Sequence, residues 1–132
     1  MFPSLSPVKP RSGLDLPKPG ITVISHAQAY SLIEENKALL LDVREPSEYQ
    51  SGAIISAINL PLDIIRKAQL PVFLNDYKNR PLIVYCRTGR RSAEAAKYLY
   101  EAGFTYILDM GGISNWPYGT VTPADHTNPQ LQ

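Results

Sequence analysis

The sequence predicts an α/β fold in which a mostly parallel sheet is covered by helices on both faces. Strand and helix signals alternate along the chain, and two of the strand signals, residues 38–43 and 81–85, are nearly all apolar. An apolar run without polar alternation is typical of a strand buried on both faces. Strands that alternate with helices require crossover connections, which place the strands parallel and the helices against the sheet.

Each element has a local signal of its own. β-Branched or apolar runs predict five strands, at residues 21–24, 38–43, 57–61, 81–85 and 105–108. Helices are expected from residue 26 to about 36, from 62 to about 70 and from 92 to 101, with a short helical turn around residues 115–116. Ser25 and Gln28 have capping-box spacing at the start of the first helix, and Gly103 is placed to end the last one.

Composition limits the classes of function. The chain has 132 residues, 44% of them hydrophobic, and a formal net charge of +1. We therefore expect one soluble domain, residues 21–118, and no general binding of nucleic acid. No apolar run approaches the roughly 18 residues that span a bilayer, and the N-terminus lacks the pattern of a secretory signal, so no membrane association is expected. A Pro-rich arm, residues 1–20, and a polar tail, residues 119–132, flank the domain.

The chain has a single cysteine, Cys86. One cysteine cannot form an internal disulfide, which suits a reducing compartment, and we expect a cytoplasmic protein. A lone cysteine is commonly a small buried apolar residue. Cys86, however, directly follows the strongest strand signal and precedes the best helix, at the sheet edge where α/β proteins bind their ligands. This position favours a nucleophile.

The loop after the cysteine has the composition of an anion site. It joins a strand to a helix N-terminus, and Gly89 gives it the freedom to turn its N–H groups inward. Those donors, the helix N-terminus and the arginines would all favour a thiolate over a thiol. The candidate catalytic residue is Cys86, and the candidate substrate-binding residues are Arg87, Thr88, Gly89, Arg90, Arg91 and Ser92. Arg87 and Arg91 are the preferred cations for the substrate, and Arg90 is expected to turn outward.

Two other cysteine chemistries fit the sequence less well. A cysteine–histidine hydrolase needs an imidazole base, but the two histidines, His26 and His126, are expected to be solvent-facing. A cysteine phosphatase has an arginine six positions after the cysteine, where this chain has Ser92. The loop therefore suits a smaller, sulfur-bearing anion.

Three motifs give the chain its resemblance to the rhodanese-like domain family. The first reads LDVREPSEYQSG and spans residues 41–52; the second is the loop CRTGRRS, residues 86–92; the third is GGISNW, residues 111–116. They occur in the family's order, and the resemblance covers residues 21–118. The sequence departs from the family pattern at Ala53, where histidine is usual, and at Ser56, where glycine is common.

The resemblance implies a five-stranded α/β domain and sulfur transfer through a persulfide. The Cys86 thiolate would attack the outer sulfur of a small anionic donor such as thiosulfate. A thiol, cyanide or a protein cysteine would then accept that sulfur from the persulfide. The resemblance implies no metal and no organic cofactor, and we expect a monomer.

Residues outside the loop have structural explanations. Asp42 and Arg44 either help to position the loop or form a structural ion pair at a strand end, and the second interpretation is preferred. Trp116 is expected to be a packing residue. Two further functions stay open: a non-catalytic interaction or regulatory module, and a phosphatase or arsenate reductase.

Overall fold

The computed structural model describes residues 17–123, and its central feature is a five-stranded sheet in which every pair of neighbouring strands is parallel. The strands are β1 (Gly20–Val23), β2 (Leu39–Asp42), β3 (Ile58–Asn59), β4 (Leu82–Cys86) and β5 (Tyr106–Gly112). Their order across the sheet is β1-β5-β4-β2-β3. The predicted fold class is therefore confirmed.

Four α-helices cover the two faces of this sheet. They are α1 (His26–Glu34), α2 (Pro46–Ser51), α3 (Leu62–Arg66) and α4 (Arg90–Glu101), and a 3₁₀ helix spans Val72–Tyr77. Residues of α1 and α2 pack in the core on one face, and residues of α3 and α4 pack in the core on the other. No helix within residues 17–123 is long and apolar enough to cross a bilayer.

Strand β4 lies at the centre of the sheet and all five of its residues are buried. Because side chains alternate along a strand, Leu82, Val84 and Cys86 face the core containing α4, whereas Ile83 and Tyr85 face the core containing α1. The strand therefore delivers the Cys86 side chain to the α4 side of the sheet, at its carboxyl edge.

Several element boundaries differ from the predicted ones. The capping box of Ser25 and Gln28 is present, but α1 ends at Glu34 because Asn36 has a left-handed φ of 57°. Helix α3 ends at Arg66, and Ala68 with φ 57° separates it from the 3₁₀ helix. Residues 115–116 form a turn without a helix.

One helix was not predicted, and one predicted strand is longer than expected. Helix α2 has only six residues, too few for a hydrophobic period, but its signals are Pro46 in the first turn and a capping box between Glu45 and Glu48. Strand β5 continues to Gly112, four residues beyond the predicted end, and its register against β4 shifts between Val84 and Tyr85. This irregularity places Gly112 beside Cys86.

The two positions that depart from the family pattern, Ala53 and Ser56, have different surroundings in the fold. Ala53 is buried and its backbone forms an antiparallel bridge with Val121, the N–H of each bonding the carbonyl of the other at 2.8 Å. Ser56 has φ 72°, a left-handed conformation that glycine adopts without strain. The common glycine at this position therefore matches the backbone that the serine has to adopt.

Candidate active site

The sulfur of Cys86 lies at the N-terminal end of α4. The residue is 1% exposed. Its Sγ accepts hydrogen bonds from the backbone N–H groups of Gly89, at 3.0 Å, and Ser92, at 3.3 Å. Both donors carry partial positive charge, as does the helix N-terminus behind them. The loop thus forms a cradle in which two backbone N–H groups bond the sulfur.

The turn into α4 depends on Gly89. This residue is the N-cap of α4 and has φ 110°, in the left-handed region that residues with a Cβ rarely adopt. The turn brings the chain from Cys86 back over its own sulfur within three residues, so that the N–H groups of Gly89 and Ser92 reach Sγ. Ser92, fully buried, supplies the second of these donors.

The floor of the loop is Gly112. A Cβ built on it would lie 2.4 Å from the carbonyl oxygen of Arg87 and 2.7 Å from Cα of Thr88. The segment after it is fastened to the same loop, because Ile113 N–H donates to Cys86 O and Ser114 N–H to Arg87 O. The third motif thus lies directly under the second, and its second glycine allows the close approach.

The loop arginines differ in their surroundings. Arg87 and Arg90 are exposed, as is Thr88. Arg91 is half-buried and forms a two-pronged ion pair with Glu48 of α2, Nη1 to Oε1 at 2.7 Å and Nη2 to Oε2 at 2.9 Å. Hydrogen bonds from Arg91 are the main cause that lowers the pKa of Glu48 to about 2. Of the two preferred substrate cations, Arg87 faces solvent and Arg91 faces a carboxylate.

Asp42 and Arg44 form a buried ion pair below this site. The Arg44 guanidinium donates Nε to Asp42 Oδ1 at 3.0 Å and Nη2 to Oδ2 at 2.7 Å. Nη2 also donates to Gly52 O, and the Tyr85 hydroxyl donates to Asp42 Oδ2 at 2.7 Å. Burial, with the Asp42 charge, raises the pKa of Tyr85. The pair fixes the end of β2 and the chain after α2, as the structural interpretation predicts.

His26 is not the solvent-facing residue that the sequence suggests. Its ring is half-buried, with Nε2 2.9 Å from Gly112 O and an edge contact with Trp116 at 5.4 Å between ring centroids. Trp116 also packs against the core on the α1 face, in agreement with its predicted role. His26 therefore supports the Gly112 segment, and it does not bond Cys86 Sγ. His126 lies outside the described residues.

Sequence reasoning did not single out Glu48 and Asp109. Glu48 lies inside the first motif, which was the one available signal, yet it meets Arg91 only across 43 residues of chain. Asp109, on β5, is buried and accepts hydrogen bonds from the Ser92 hydroxyl and the Gly111 N–H. Within the described part of the chain no three His, Cys, Asp or Glu side chains cluster as metal ligands would.

Comparison with known proteins agrees with this geometry. The sequence profile of the rhodanese-like domain matches residues 25–117. The chain belongs to the rhodanese-like domain family. Family membership supports a transferase of the rhodanese type, since several relatives are sulfurtransferases.

Three relatives illustrate the similarity. A sulfurtransferase of Allochromatium vinosum is 35% identical over 95 residues, which are 70% of this chain and 83% of the relative. A thiosulfate sulfurtransferase of Escherichia coli is 37% identical over 75 residues, or 57% of this chain and 70% of the relative. The solved structure of a human single-domain sulfurtransferase superposes with a TM-score of 0.62 at 26% identity, covering 70% of this chain and 91% of that one.

The ion pair between Glu48 and Arg91 predicts a pH-dependent contribution to stability. The pKa of Glu48 is about 2 in the folded chain against an ordinary 4.5, so its contribution is fully present above pH 4.5 and is lost as the pH falls towards 2. Glu48→Gln should lower the free energy of unfolding by about 1 kcal/mol at pH 7. The difference from the parent protein should shrink between pH 4.5 and 2, as measured by urea unfolding at a series of pH values.

Glu94→Gln is the matched control, because Glu94 pairs with Arg66 on the surface, where both side chains are more than a third exposed. Its effect at pH 7 should be the smaller of the two. An effect of Glu48→Gln that stays constant from pH 7 to pH 2 would contradict the ion-pair explanation.

Proposed function

We propose that the protein is a sulfurtransferase that carries sulfane sulfur on Cys86. The observation that supports this most directly is the pair of backbone N–H groups directed at Cys86 Sγ. A cradle of this kind stabilises negative charge on sulfur without a side-chain base. Thiosulfate or a similar small anion is the proposed donor.

In the first half-reaction the Cys86 thiolate attacks the outer sulfur of thiosulfate. The new S–S bond forms as the sulfur–sulfur bond of thiosulfate breaks, and sulfite leaves with the electron pair. The product is a Cys86 persulfide whose terminal sulfur carries the negative charge. The Gly89 and Ser92 N–H groups and the N-terminus of α4 stabilise charge on the sulfur throughout, in the manner of an oxyanion hole.

In the second half-reaction a thiophilic acceptor attacks the terminal sulfur of the persulfide. Cyanide would give thiocyanate, and a thiol or a protein cysteine would give a new persulfide. The Cys86 thiolate leaves and the cradle returns to its starting state. Because Cys86 is 1% exposed, the acceptor has to reach the sulfur through the mouth of the loop, beside the exposed Arg87 and Thr88.

The shape of the loop supports sulfur transfer over phosphate chemistry. Both N–H groups already bond Sγ itself, so the loop is closed around one sulfur atom rather than around a tetrahedral group beyond it. The complete cradle likewise favours an enzyme over a purely regulatory module.

The enzymatic proposal is tested by two substrates assayed side by side. The parent protein should transfer sulfur from thiosulfate to cyanide and should not hydrolyse an aryl phosphate. Cys86→Ser should abolish thiocyanate formation, because a hydroxyl forms no persulfide, while circular dichroism shows the fold retained. Hydrolysis of the aryl phosphate that depends on Cys86, without sulfur transfer, would identify a phosphatase instead. If the protein shows neither activity, that result would favour the regulatory module.

The exposed arginine of the loop should act on the donor rather than on the fold. Arg87→Ala should lower kcat/KM for thiosulfate at least about tenfold, since a bond to a charged group contributes about 1.5–3 kcal/mol. The melting temperature should stay the same, because Arg87 is exposed. Lys97→Ala, which removes an exposed cation farther along α4, is the matched control. Equal kinetics in the two variants would show that the charge of Arg87 has no specific role.

A further inference from the structure

Asp109 is a buried carboxylate next to the cradle, and it has no basic partner among residues 17–123. It is 7% exposed, and among residues 17–123 its side chain bonds only neutral donors, the Ser92 hydroxyl at 2.7 Å and the Gly111 N–H at 2.9 Å. Both hydrogen bonds end on the same oxygen, Oδ1. Buried carboxylates are usually paired with a cation, so two neutral donors on one oxygen call for an explanation.

The first of these bonds holds a donor of the cradle. Ser92 donates its backbone N–H to Cys86 Sγ and its hydroxyl to Asp109, so the residue is fixed from both ends. The hydroxyl also lies 3.0 Å from Gly89 O, at the turn that carries the other donor. Losing Asp109 Oδ1 would free the first turn of α4 to move away from the sulfur.

The second bond holds the floor of the loop. The pairing of β4 with β5 is irregular here: Val84 lies opposite Asp109, whereas Tyr85 lies opposite Gly111. The Gly111 N–H, which follows the irregularity, donates its hydrogen bond to the Asp109 side chain. The next residue, Gly112, is the one that touches the backbone of Arg87 and Thr88.

From these contacts we propose that Asp109 is the positioning residue of the Cys86 cradle. A single carboxylate oxygen ties the N-terminus of α4 to the bulged end of β5, and thereby holds the Ser92 N–H on the sulfur. Asp109 acts through Ser92 and Gly111 and touches no substrate. The catalytic importance of this role rests on the proposed function. The effect of Asp109 on the reactivity of Cys86 can nevertheless be measured without any sulfur donor.

The test compares Asp109→Ala with Asp109→Asn. Both variants remove the same charge, but only asparagine keeps an oxygen that can accept both bonds, so their difference isolates positioning from electrostatics. The readout is the rate of Cys86 alkylation by iodoacetamide against pH, which reports on one site because the chain has one cysteine. At neutral pH the rate should be about tenfold lower in Asp109→Ala than in Asp109→Asn, because the alanine variant no longer holds the Ser92 N–H on the sulfur.

Activity provides the second readout. Thiosulfate turnover should fall at least about tenfold in Asp109→Ala, and Asp109→Asn should restore it to within about threefold of the parent protein. Ser92→Ala removes the donor of the hydrogen bond to Asp109 and should change the alkylation profile in the same direction as Asp109→Ala. Ser31→Ala, an exposed serine on α1, should leave both measurements unchanged.

The outcomes separate the hypotheses. Equal alkylation profiles in the alanine and asparagine variants would overturn the positioning role, as would an unshifted profile in Ser92→Ala, which decides the matter if Asp109→Ala does not fold. If the variants show the predicted changes in alkylation but the parent protein forms no persulfide, the positioning role is upheld and the sulfurtransferase proposal is overturned.

Discussion

Two backbone N–H groups directed at one sulfur atom are the constraint on which the site depends. They can converge only because the chain reverses at Gly89, with φ 110°, directly after a buried central strand. The reversed loop packs against Gly112, where a side chain would collide with the backbone of Arg87 and Thr88. The loop and the end of β5 are therefore one unit, although Gly112 lies 26 positions after Cys86 in the chain.

Charge around this unit is arranged in two layers. The Arg44–Asp42 pair is buried at the end of β2, and the half-buried Arg91–Glu48 pair joins α4 to α2. Outside, Arg87 and Arg90 are exposed. Exposed cations on the loop are what the proposed anionic donor would require.

Much of this could be predicted from the sequence because its signals are local. The apolar run of residues 81–85 predicts the central strand, the capping box of Ser25 predicts the start of α1, and the position of Cys86 between strand and helix predicts its place at the sheet edge. The pairing of Glu48 with Arg91 and the support of Ser92 by Asp109 could not be predicted, because each depends on how distant elements come together. The Asp109 contact further requires the register irregularity between β4 and β5, which lies beyond the predicted end of the strand at residue 108. The solvent-facing prediction for His26 was wrong for the same reason, since its partner Gly112 lies 86 positions later in the chain and Trp116 lies farther still.

The most direct test of the account is the mass of the intact protein after incubation with thiosulfate. The account predicts a gain of one sulfur atom per chain, located on Cys86, that is lost on addition of cyanide. A parent protein whose mass does not change at saturating thiosulfate, while Cys86 remains free to react with iodoacetamide, would contradict it.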